Sequence, residues 1–435
     1  MEQNFGFAQN PSSSFFCFRE TNNPAHISDN NNPSDTSRNE ISSSTSQMSL
    51  PNTHSNSIEE SSILEAIDKI NSDDQKLQYE GLQLLRKEVS RENNSPINLI
   101  IRSGICERIL DLASTKSDDK FIFEAVWTLS KILSGTFEQA SYLMHLNVIP
   151  FLFTLFDKNN EDLKEQLMRG FGNIAADNST WRNWIINYEM FSCIIELCNN
   201  VNFNNTNLIK TYCWAVSNFI QGNPPPKTEK VLPFASFLYK VIIEVQDQET
   251  LIEASLGCSY PTELDPSIEI FQKELFLKKI IKQLSSRKTL LLKASLKILK
   301  NIGEEMDNAF SILFKLGFFK KTEGLLCHQK KSIRREICCT LADLTSECEE
   351  IISIFFENKI YEKLLSIIKA DCEDVKKQAL FVIYESACVC DENQIMKLAQ
   401  IGIIKELISC IKWKKWRPII LEALSLFIEK VPIIL

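Results

Sequence analysis

Two tryptophans and two asparagines have a spacing that could bring them together on helix surfaces. Trp214 and Asn218 are four residues apart, and positions i and i+4 lie on one face of a helix. Trp127 occupies a matching point in an earlier segment, and Asn173 a matching point in the segment between them. An indole packs on the stem and charged head of a lysine or arginine, and an amide both donates and accepts hydrogen bonds. These residue types at this spacing indicate a binding surface rather than a catalytic one.

The residues that usually perform catalysis or bind metals form no recognisable set. The 14 cysteines contain no CxxC pair, and the four histidines are far apart, at His26, His54, His145 and His328. Neither pattern has the ligand spacing of a zinc site. The sequence also lacks a glycine-rich phosphate loop, a nucleophile elbow and a paired acid–histidine constellation. We therefore expect no enzymatic activity, no metal and no cofactor.

The charge balance is acidic, with a formal net charge of −8 and an isoelectric point near 5.4. This balance disfavours a nucleic-acid phosphate backbone as the main partner and suits a basic partner better. Most cysteines lie in apolar helical runs, where a free thiol acts as a small core residue, and this indicates a reducing compartment. The sequence has no secretory signal and no uncharged apolar run of about 18 residues, so we expect no membrane span.

Composition divides the chain into a polar tail and a long helical region. Residues 1–60 are rich in Ser, Asn, Thr and Pro and contain no lysine, which predicts a disordered tail. A phenylalanine cluster at 5–18 is interpreted as part of that tail, and the alternative is a short docking motif for a partner. From residue 61 to 435, helical periodicity continues between breaks such as 93–96 and 222–226, without period-two alternation. This region is predicted to be all-α.

The helical region contains an internal repeat. Matched positions recur every 42 to 45 residues at Trp127, Arg169, Trp214 and Leu256, and 42 residues separate the later pair Cys339 and Phe381. Helical units of this length are typical of armadillo or HEAT repeats, whose stacked neighbours bury one continuous core. About nine units are expected between Leu77 and Leu435. One copy is poor, because Pro261 is predicted to stop a helix there.

Four segments resemble the first four armadillo repeats of importin α. They contain LQLLRKEVSRE (82–92), EAVW and SGTFEQ (124–139), NED and GNIAAD (160–177), and WAVSN and GNPPP (214–226). The proline-rich turn at 222–226 is the most specific of these marks, and the resemblance is strongest at 77–235. It implies that residues 61–435 form an armadillo-repeat, right-handed superhelical solenoid.

The resemblance also implies a concave groove that binds lysine-rich nuclear localisation signals. Tryptophans would pack on the stems of signal residues, asparagine amides would bind the peptide backbone, and an acidic residue would form the floor of the principal lysine pocket. Carried over position by position, the peptide-binding residues are Trp127, Gly135, Asn173, Asp177, Trp214 and Asn218.

Several positions depart from the family pattern. Lys131 stands in place of an asparagine, Arg169 in place of a tryptophan, and Ala140 in place of a threonine. The two cations would each repel a lysine-rich ligand by about 1 kcal/mol near a surface. In the C-terminal half the aligned positions hold Cys339, Asp343, Phe381 and Glu385, so we expect no second site of the usual kind.

Basic clusters crowd the C-terminal half, at 278–288, 330–335 and 412–417. We interpret them as solvated helix faces or turns. The alternative is a surface for an acidic partner or RNA, in which Trp413 and Trp416 would form a stacking platform.

Residues 1–60 contain no arginine- and lysine-rich helix of the kind with which importin α binds importin β, so we do not expect importin β as a usual partner. The predicted function is a nuclear import adaptor of cytoplasm and nucleus that binds proteins carrying Lys/Arg-rich localisation peptides. The alternative is an armadillo scaffold that has lost signal binding and assembles other proteins.

Overall fold

The computed structural model describes residues 53–91, 95–116, 118–265, 268–305, 309–346 and 350–431. Most of the predicted tail, including the phenylalanine cluster, lies outside these residues. The first helix begins at Thr53, inside the segment that was predicted to be tail. Residues Glu60–Leu435 form one compact unit.

The described residues fold into α-helices and a short 3₁₀ helix (Leu232–Phe234), and they contain no β-strand. In the first part of the unit these are α1 (Thr53–Asn71), α2 (Gln75–Val89), α3 (Ile97–Arg102), α4 (Ile105–Thr115), α5 (Asp119–Leu133), α6 (Phe137–His145), α7 (Val148–Phe153), α8 (Glu161–Asp177), α9 (Ser179–Asn187), α10 (Phe191–Asn199), α11 (Thr206–Ile220), α12 (Thr228–Val231) and α13 (Ala235–Glu244). The rest are α14 (Gln248–Leu264), α15 (Glu269–Gln272), α16 (Glu274–Gln283), α17 (Thr289–Glu305), α18 (Ala309–Lys315), α19 (Phe319–Leu326), α20 (Lys331–Ser346), α21 (Ile351–Glu357), α22 (Ile360–Ala370), α23 (Glu373–Val389), α24 (Glu392–Ile401), α25 (Ile403–Cys410) and α26 (Arg417–Lys430).

Nine long helices form the inner layer of a solenoid: α2, α5, α8, α11, α14, α17, α20, α23 and α26. Each starts 41 to 45 residues after the previous one and packs against it. We call these nine the inner helices. The predicted all-α armadillo solenoid of about nine repeats is confirmed.

The first five inner helices begin where an acidic or amide side chain caps them. Asp74, Asp118, Asn160, Asn205 and Asp247 each accept a hydrogen bond from a backbone N–H in the first turn. Such a cap satisfies a donor that would otherwise lack a partner within the helix. The regular helix starts therefore follow from local sequence as well as from stacking.

One stripe of α5 is less buried than the rest of the helix. In α5 most positions are buried, whereas Phe123, Trp127 and Lys131 are half-buried. These are the fifth, ninth and thirteenth residues of the helix, and their spacing of four places them on one face. We call these three positions of every inner helix the groove stripe, because together they line the concave side.

The predicted helix stop at Pro261 is wrong, since α14 continues through it to Leu264. Proline removes the N–H that would bond to the Gly257 carbonyl, but the two carbonyls that follow Gly257 each gain a side-chain donor. Thr262 Oγ1 donates to the Cys258 carbonyl at 2.9 Å, and Asn301 Nδ2 donates to the Ser259 carbonyl at 3.1 Å. Asp265 N–H donates to the Pro261 carbonyl at 2.9 Å, so the helical pattern resumes after the proline.

A buried arginine holds the proline-rich turn at 222–226, which follows α11, through hydrogen bonds. Arg182 is fully buried in α9, and its guanidinium donates to the carbonyls of Gln221 and Pro224 and to the side chain of Asn183. Gly222 lies directly against this guanidinium with a φ of +120°. A side chain at that position would adopt a backbone region that L-residues rarely occupy and would also meet Arg182.

We predict that Gly222→Ala destabilises the protein by about 1–3 kcal/mol because it adds backbone strain and displaces Arg182. Gly324→Ala is the matched control: Gly324 lies within α19, and nothing would meet its added Cβ within 4 Å. This control should stabilise the helix by roughly 0.5–1 kcal/mol. Urea midpoints of the full chain test the pair. A Gly222→Ala midpoint equal to or above that of the parent would contradict the structure of this turn.

Candidate functional site

Trp214 is the groove-stripe tryptophan whose ring packs on the backbone of the preceding inner helix. It is the ninth residue of α11, half-buried, and its ring lies on the backbone of α8. A Cβ added to Gly172 would lie 2.5 Å from Trp214 Cζ3, so the close approach of the two helices depends on this glycine. One part of the indole is packed and the remainder is open to a ligand.

The asparagines of the groove stripe connect neighbouring layers. Asn173 Nδ2 donates to the Ser130 carbonyl at 3.1 Å, and Asn218 Nδ2 donates to the Gly172 carbonyl at 3.3 Å. Each amide is the thirteenth residue of its helix, and each carbonyl belongs to the twelfth residue of the preceding inner helix. The side chains therefore brace the stack.

Asn301 forms the same bond to Ser259 and was missed by the sequence reasoning. Its position in the repeat could have identified it, but Lys297 occupies the tryptophan position of the same helix. Because no tryptophan lies four residues before Asn301, the tryptophan–asparagine spacing did not identify this residue.

Asn218 is more enclosed than the sequence analysis assumed. Its side chain is 5% exposed, and its Oδ1 accepts a hydrogen bond from Gln221 Nε2 at 2.5 Å. Gln221 Oε1 in turn accepts one from the Tyr260 hydroxyl at 2.7 Å. The Asn218 amide thus lies between layers, whereas Asn173 is half-buried and keeps a second N–H for a ligand.

The Trp127 ring makes a cation–π contact with a side chain of the same protein. The Arg86 guanidinium carbon lies 4.5 Å from the centroid of the Trp127 ring, and Arg86 is also paired with the buried carboxylate of Glu124. Phe123 contacts the same indole edge-on at a centroid distance of 5.4 Å. Intrachain contacts therefore engage this ring, which is half-buried like that of Trp214.

Lys131 and Arg169, the two cations of the N-terminal half that depart from the family pattern, differ in their ion pairs. Arg169 Nη2 lies 2.6 Å from Glu165 Oε1 and 3.2 Å from Thr211 Oγ1, so a neighbouring carboxylate offsets its charge. Lys131 is half-buried, and within the described part of the chain no carboxylate forms an ion pair with it. Lys131 is therefore the main source of repulsion toward a basic ligand.

Two carboxylates come together at one edge of this groove. Asp177 ends α8 and is exposed, and Glu138 lies in the first turn of α6. Partial burial and the nearby charge of Glu138 raise the pKa of Asp177. Backbone hydrogen bonding at its own N–H and the Thr136 hydroxyl lower the pKa of Glu138. The charges of the two carboxylates interact, and together they would attract an ammonium or guanidinium group; we call this pair the anionic pocket.

An aromatic stack that the sequence did not reveal positions this acidic pair. The rings of Phe137 and Trp181 lie 4.8 Å apart and nearly parallel, at 5°. Phe137 adjoins Glu138 in α6. Trp181 lies in the first turn of α9, the helix that follows Asp177 and the cap residue Asn178. The stack thus holds the two helix ends together.

Gly135 precedes the same helix and has a local role. The Gln139 side chain folds back to accept the Thr136 N–H, and its Oε1 occupies the space that a Gly135 Cβ would need. Gln139 Nε2 also donates to Asn98 Oδ1 at 2.9 Å. A side chain at this position would displace the Gln139 side chain from its bond to the Thr136 N–H.

The C-terminal half lacks tryptophan–asparagine pairs in its groove stripe. Cys339 is buried, and Asp343 is held by Lys300 at 3.1 Å. Lys297 Nζ lies 4.9 Å from the Tyr260 ring centroid and 2.7 Å from Glu263 Oε2. Side chains of the protein itself thus occupy this part of the stripe.

Within the described residues, no helix is long and apolar enough to cross a membrane, and no group of three or more potential ligands could hold a metal ion.

Sequence comparison finds plant importin α subunits among the relatives of this chain. It is 27% identical over 272 residues to "Importin subunit alpha-3" of Arabidopsis thaliana, covering 61% of this chain and 50% of the relative. It is 26% identical over 284 residues to "Importin subunit alpha-1b" of Oryza sativa subsp. japonica, covering 63% and 51%. The chain thus spans about half the length of these relatives. No family model matches it.

Solved structures agree on the architecture. An engineered protein superposes with a TM-score of 0.73 at 18% identity, covering 84% of this chain and 88% of that one. A chain from a structure of the cadherin and beta-catenin interaction superposes with a TM-score of 0.68 at 14% identity, covering 86% and 78%. This chain is thus similar in sequence to importin α subunits and has the fold of an armadillo solenoid.

We predict that Glu138→Gln lowers the pKa of Asp177 toward that of an ordinary aspartate without reaching it, because burial still opposes ionisation. A raised pKa means that Asp177 takes up a proton at higher pH than an isolated aspartate, so removing the Glu138 charge shifts that uptake to lower pH. Carboxyl NMR titration of aspartate-labelled protein measures the shift. Glu196→Gln on α10 is the control and should leave the pKa unchanged. Equal titration curves for the parent and Glu138→Gln would show that the two carboxylates do not share a pocket.

Proposed function

We propose that the protein is a divergent nuclear import adaptor of the importin-α type, moving between cytoplasm and nucleus. Its ligand would be a short lysine- or arginine-rich peptide of a cargo protein, bound in the N-terminal half of the groove. The observation that carries the proposal is the anionic pocket of Asp177 and Glu138 beside the groove stripe of α8 and α11. Its kinship with importin α subunits supports the same role.

Each chemical part of such a peptide has a counterpart in this half. An ammonium group would enter the pocket between Asp177 and Glu138, where a charge-assisted hydrogen bond contributes about 1.5–3 kcal/mol. The aliphatic stem of a neighbouring basic residue would pack on the open part of Trp214. The second N–H of Asn173 would bind a peptide carbonyl. Peptide binding by Asn218 would require its amide to give up part of its interlayer bonding.

The same geometry limits the length of the site. Arg86 already covers Trp127, and Lys131 places an unpaired cation one turn beyond it. A basic peptide would therefore make its main contacts with α8 and α11 rather than extend along α5. We expect a short signal with one dominant lysine to bind better than a long basic run.

We predict micromolar, salt-sensitive binding of a fluorescent lysine-rich peptide to the purified full chain. Asp177→Asn should weaken it by roughly 10- to 100-fold because a charge-assisted bond is lost. Trp214→Ala should weaken it by about tenfold through lost stem packing and cation–π attraction. Trp184→Ala removes an exposed indole outside the groove stripe and should leave affinity unchanged.

Fluorescence anisotropy at low and high salt measures these affinities, with a peptide in which glutamine replaces lysine as the ligand control. If the parent protein binds neither peptide at low salt, the import-adaptor proposal fails. A scaffold that assembles other proteins would then be the better description.

We predict that Lys131→Asn tightens lysine-peptide binding about two- to fivefold, because it removes a like charge from the groove. The control is Lys240→Asn. It causes the same loss of charge at an exposed position of α13, which is an outer helix, that is, one that does not belong to the nine inner helices. Equal tightening by both variants would mean that only net charge matters and that Lys131 does not face the ligand. The same peptide titration provides both values.

A further inference from the structure

The C-terminal half of the groove stripe carries a row of cations. Lys293, Arg335 and Lys377 are the fifth residues of α17, α20 and α23, and 42 residues separate each from the next. All three are half-buried, and their three helices pack in succession. They therefore form a line across the concave face rather than a cluster on one helix.

Three acidic residues near this row are paired with other cations, whereas Glu373, one turn before Lys377 in α23, is exposed and forms no ion pair within the described residues. Asp343 pairs with Lys300 at 3.1 Å, Glu263 with Lys297 at 2.7 Å, and Asp371 with Arg334. Glu385 lies two turns beyond Lys377, at the far end of the stripe. Within the described residues, no carboxylate forms an ion pair with the three cations of the row. The row thus presents positive charge that the fold does not neutralise.

Aromatic rings hold the end of the row in place. Lys377 Nζ lies 5.6 Å from the Phe381 centroid and 5.4 Å from the Trp416 centroid. Lys415 lies over Trp416 at 4.7 Å, and Lys376 over Trp413 at 5.0 Å. Cation–π contacts orient these ammonium groups without cancelling their charge. The exposed residues Lys412, Lys414 and Arg417 extend the positive surface.

We propose that this half of the groove binds an extended acidic peptide of a partner protein. Neighbouring helices lie roughly 8–10 Å apart, and an extended chain advances about 3.3 Å per residue. One carboxylate at every third residue would therefore meet Lys293, Arg335 and Lys377 in turn. The ligand is opposite in charge to the one proposed for the N-terminal half, so the two sites can be tested independently.

A peptide fits these observations better than a nucleic acid. Stacking of bases needs open aromatic faces, but Trp413 and Trp416 are half-buried and already carry lysines. The net charge of −8 also repels a long polyanion, whereas a short acidic segment in a local positive row is less affected.

The test uses the full chain and a fluorescent ten-residue peptide with glutamate at every third position and serine or glycine elsewhere. The triple variant Lys293→Glu, Arg335→Glu and Lys377→Glu should lose at least about tenfold in affinity. The matched control is Lys278→Glu, Lys320→Glu and Lys405→Glu, which makes the same change in net charge at exposed positions of the outer helices α16, α19 and α25. It should change affinity by less than about threefold. Urea midpoints establish that both variants are folded.

Three results would overturn the proposal. One is no binding of the glutamate peptide at low salt, and another is an equal loss of affinity in the row variant and its control. The third is tighter binding of a ten-nucleotide RNA than of the peptide, with loss of RNA binding in the row variant. Binding of the lysine peptide reports on the N-terminal half alone and should persist in the row variant.

Discussion

Close stacking of the inner helices determines both the fold and the shape of the binding surface. Where α8 and α11 meet, Gly172 lets the Trp214 indole rest on the backbone, and the Asn218 amide bonds to the Gly172 carbonyl. Asn173 and Asn301 make the same bond between other layers. Because a buried carbonyl without a partner is costly, these amides favour one register of the stack. That register aligns the fifth, ninth and thirteenth residues of successive helices in one groove.

Charge divides this groove into two halves. In the N-terminal half, Asp177 and Glu138 provide an anionic pocket, and Glu165 offsets Arg169. In the C-terminal half, Glu263 and Asp343 are paired with lysines, and no ion pair within the described residues neutralises the row from Lys293 to Lys377. A single solenoid can therefore present two sites of opposite preference, because its curved backbone is shared while each stripe position varies independently. An adaptor built in this way could join a basic segment of one protein to an acidic segment of another.

Features set by helix geometry were predictable from the sequence. The repeat length, the all-α fold and the position of Trp214 follow from periodicity and i, i+4 spacing. Contacts between repeats were not predictable: Arg86 covers Trp127 from the preceding inner helix, and Gly172 accepts from Asn218 across 46 residues. Pro261 lies inside α14, and the nearby Ser259 carbonyl accepts a hydrogen bond from Asn301, which belongs to the next repeat. Local patterns identify such residues but not their partners.

Photo-crosslinking tests the division of the groove most directly. A lysine-rich peptide and a glutamate peptide, each with a photoreactive phenylalanine at its centre, would be irradiated with the full chain and mapped by mass spectrometry. The structure predicts that the lysine peptide labels α8 and α11, and that the glutamate peptide labels α17, α20 and α23. Labelling of one common segment by both peptides, or of outer helices such as α13 and α22, would contradict a concave groove with two halves of opposite charge.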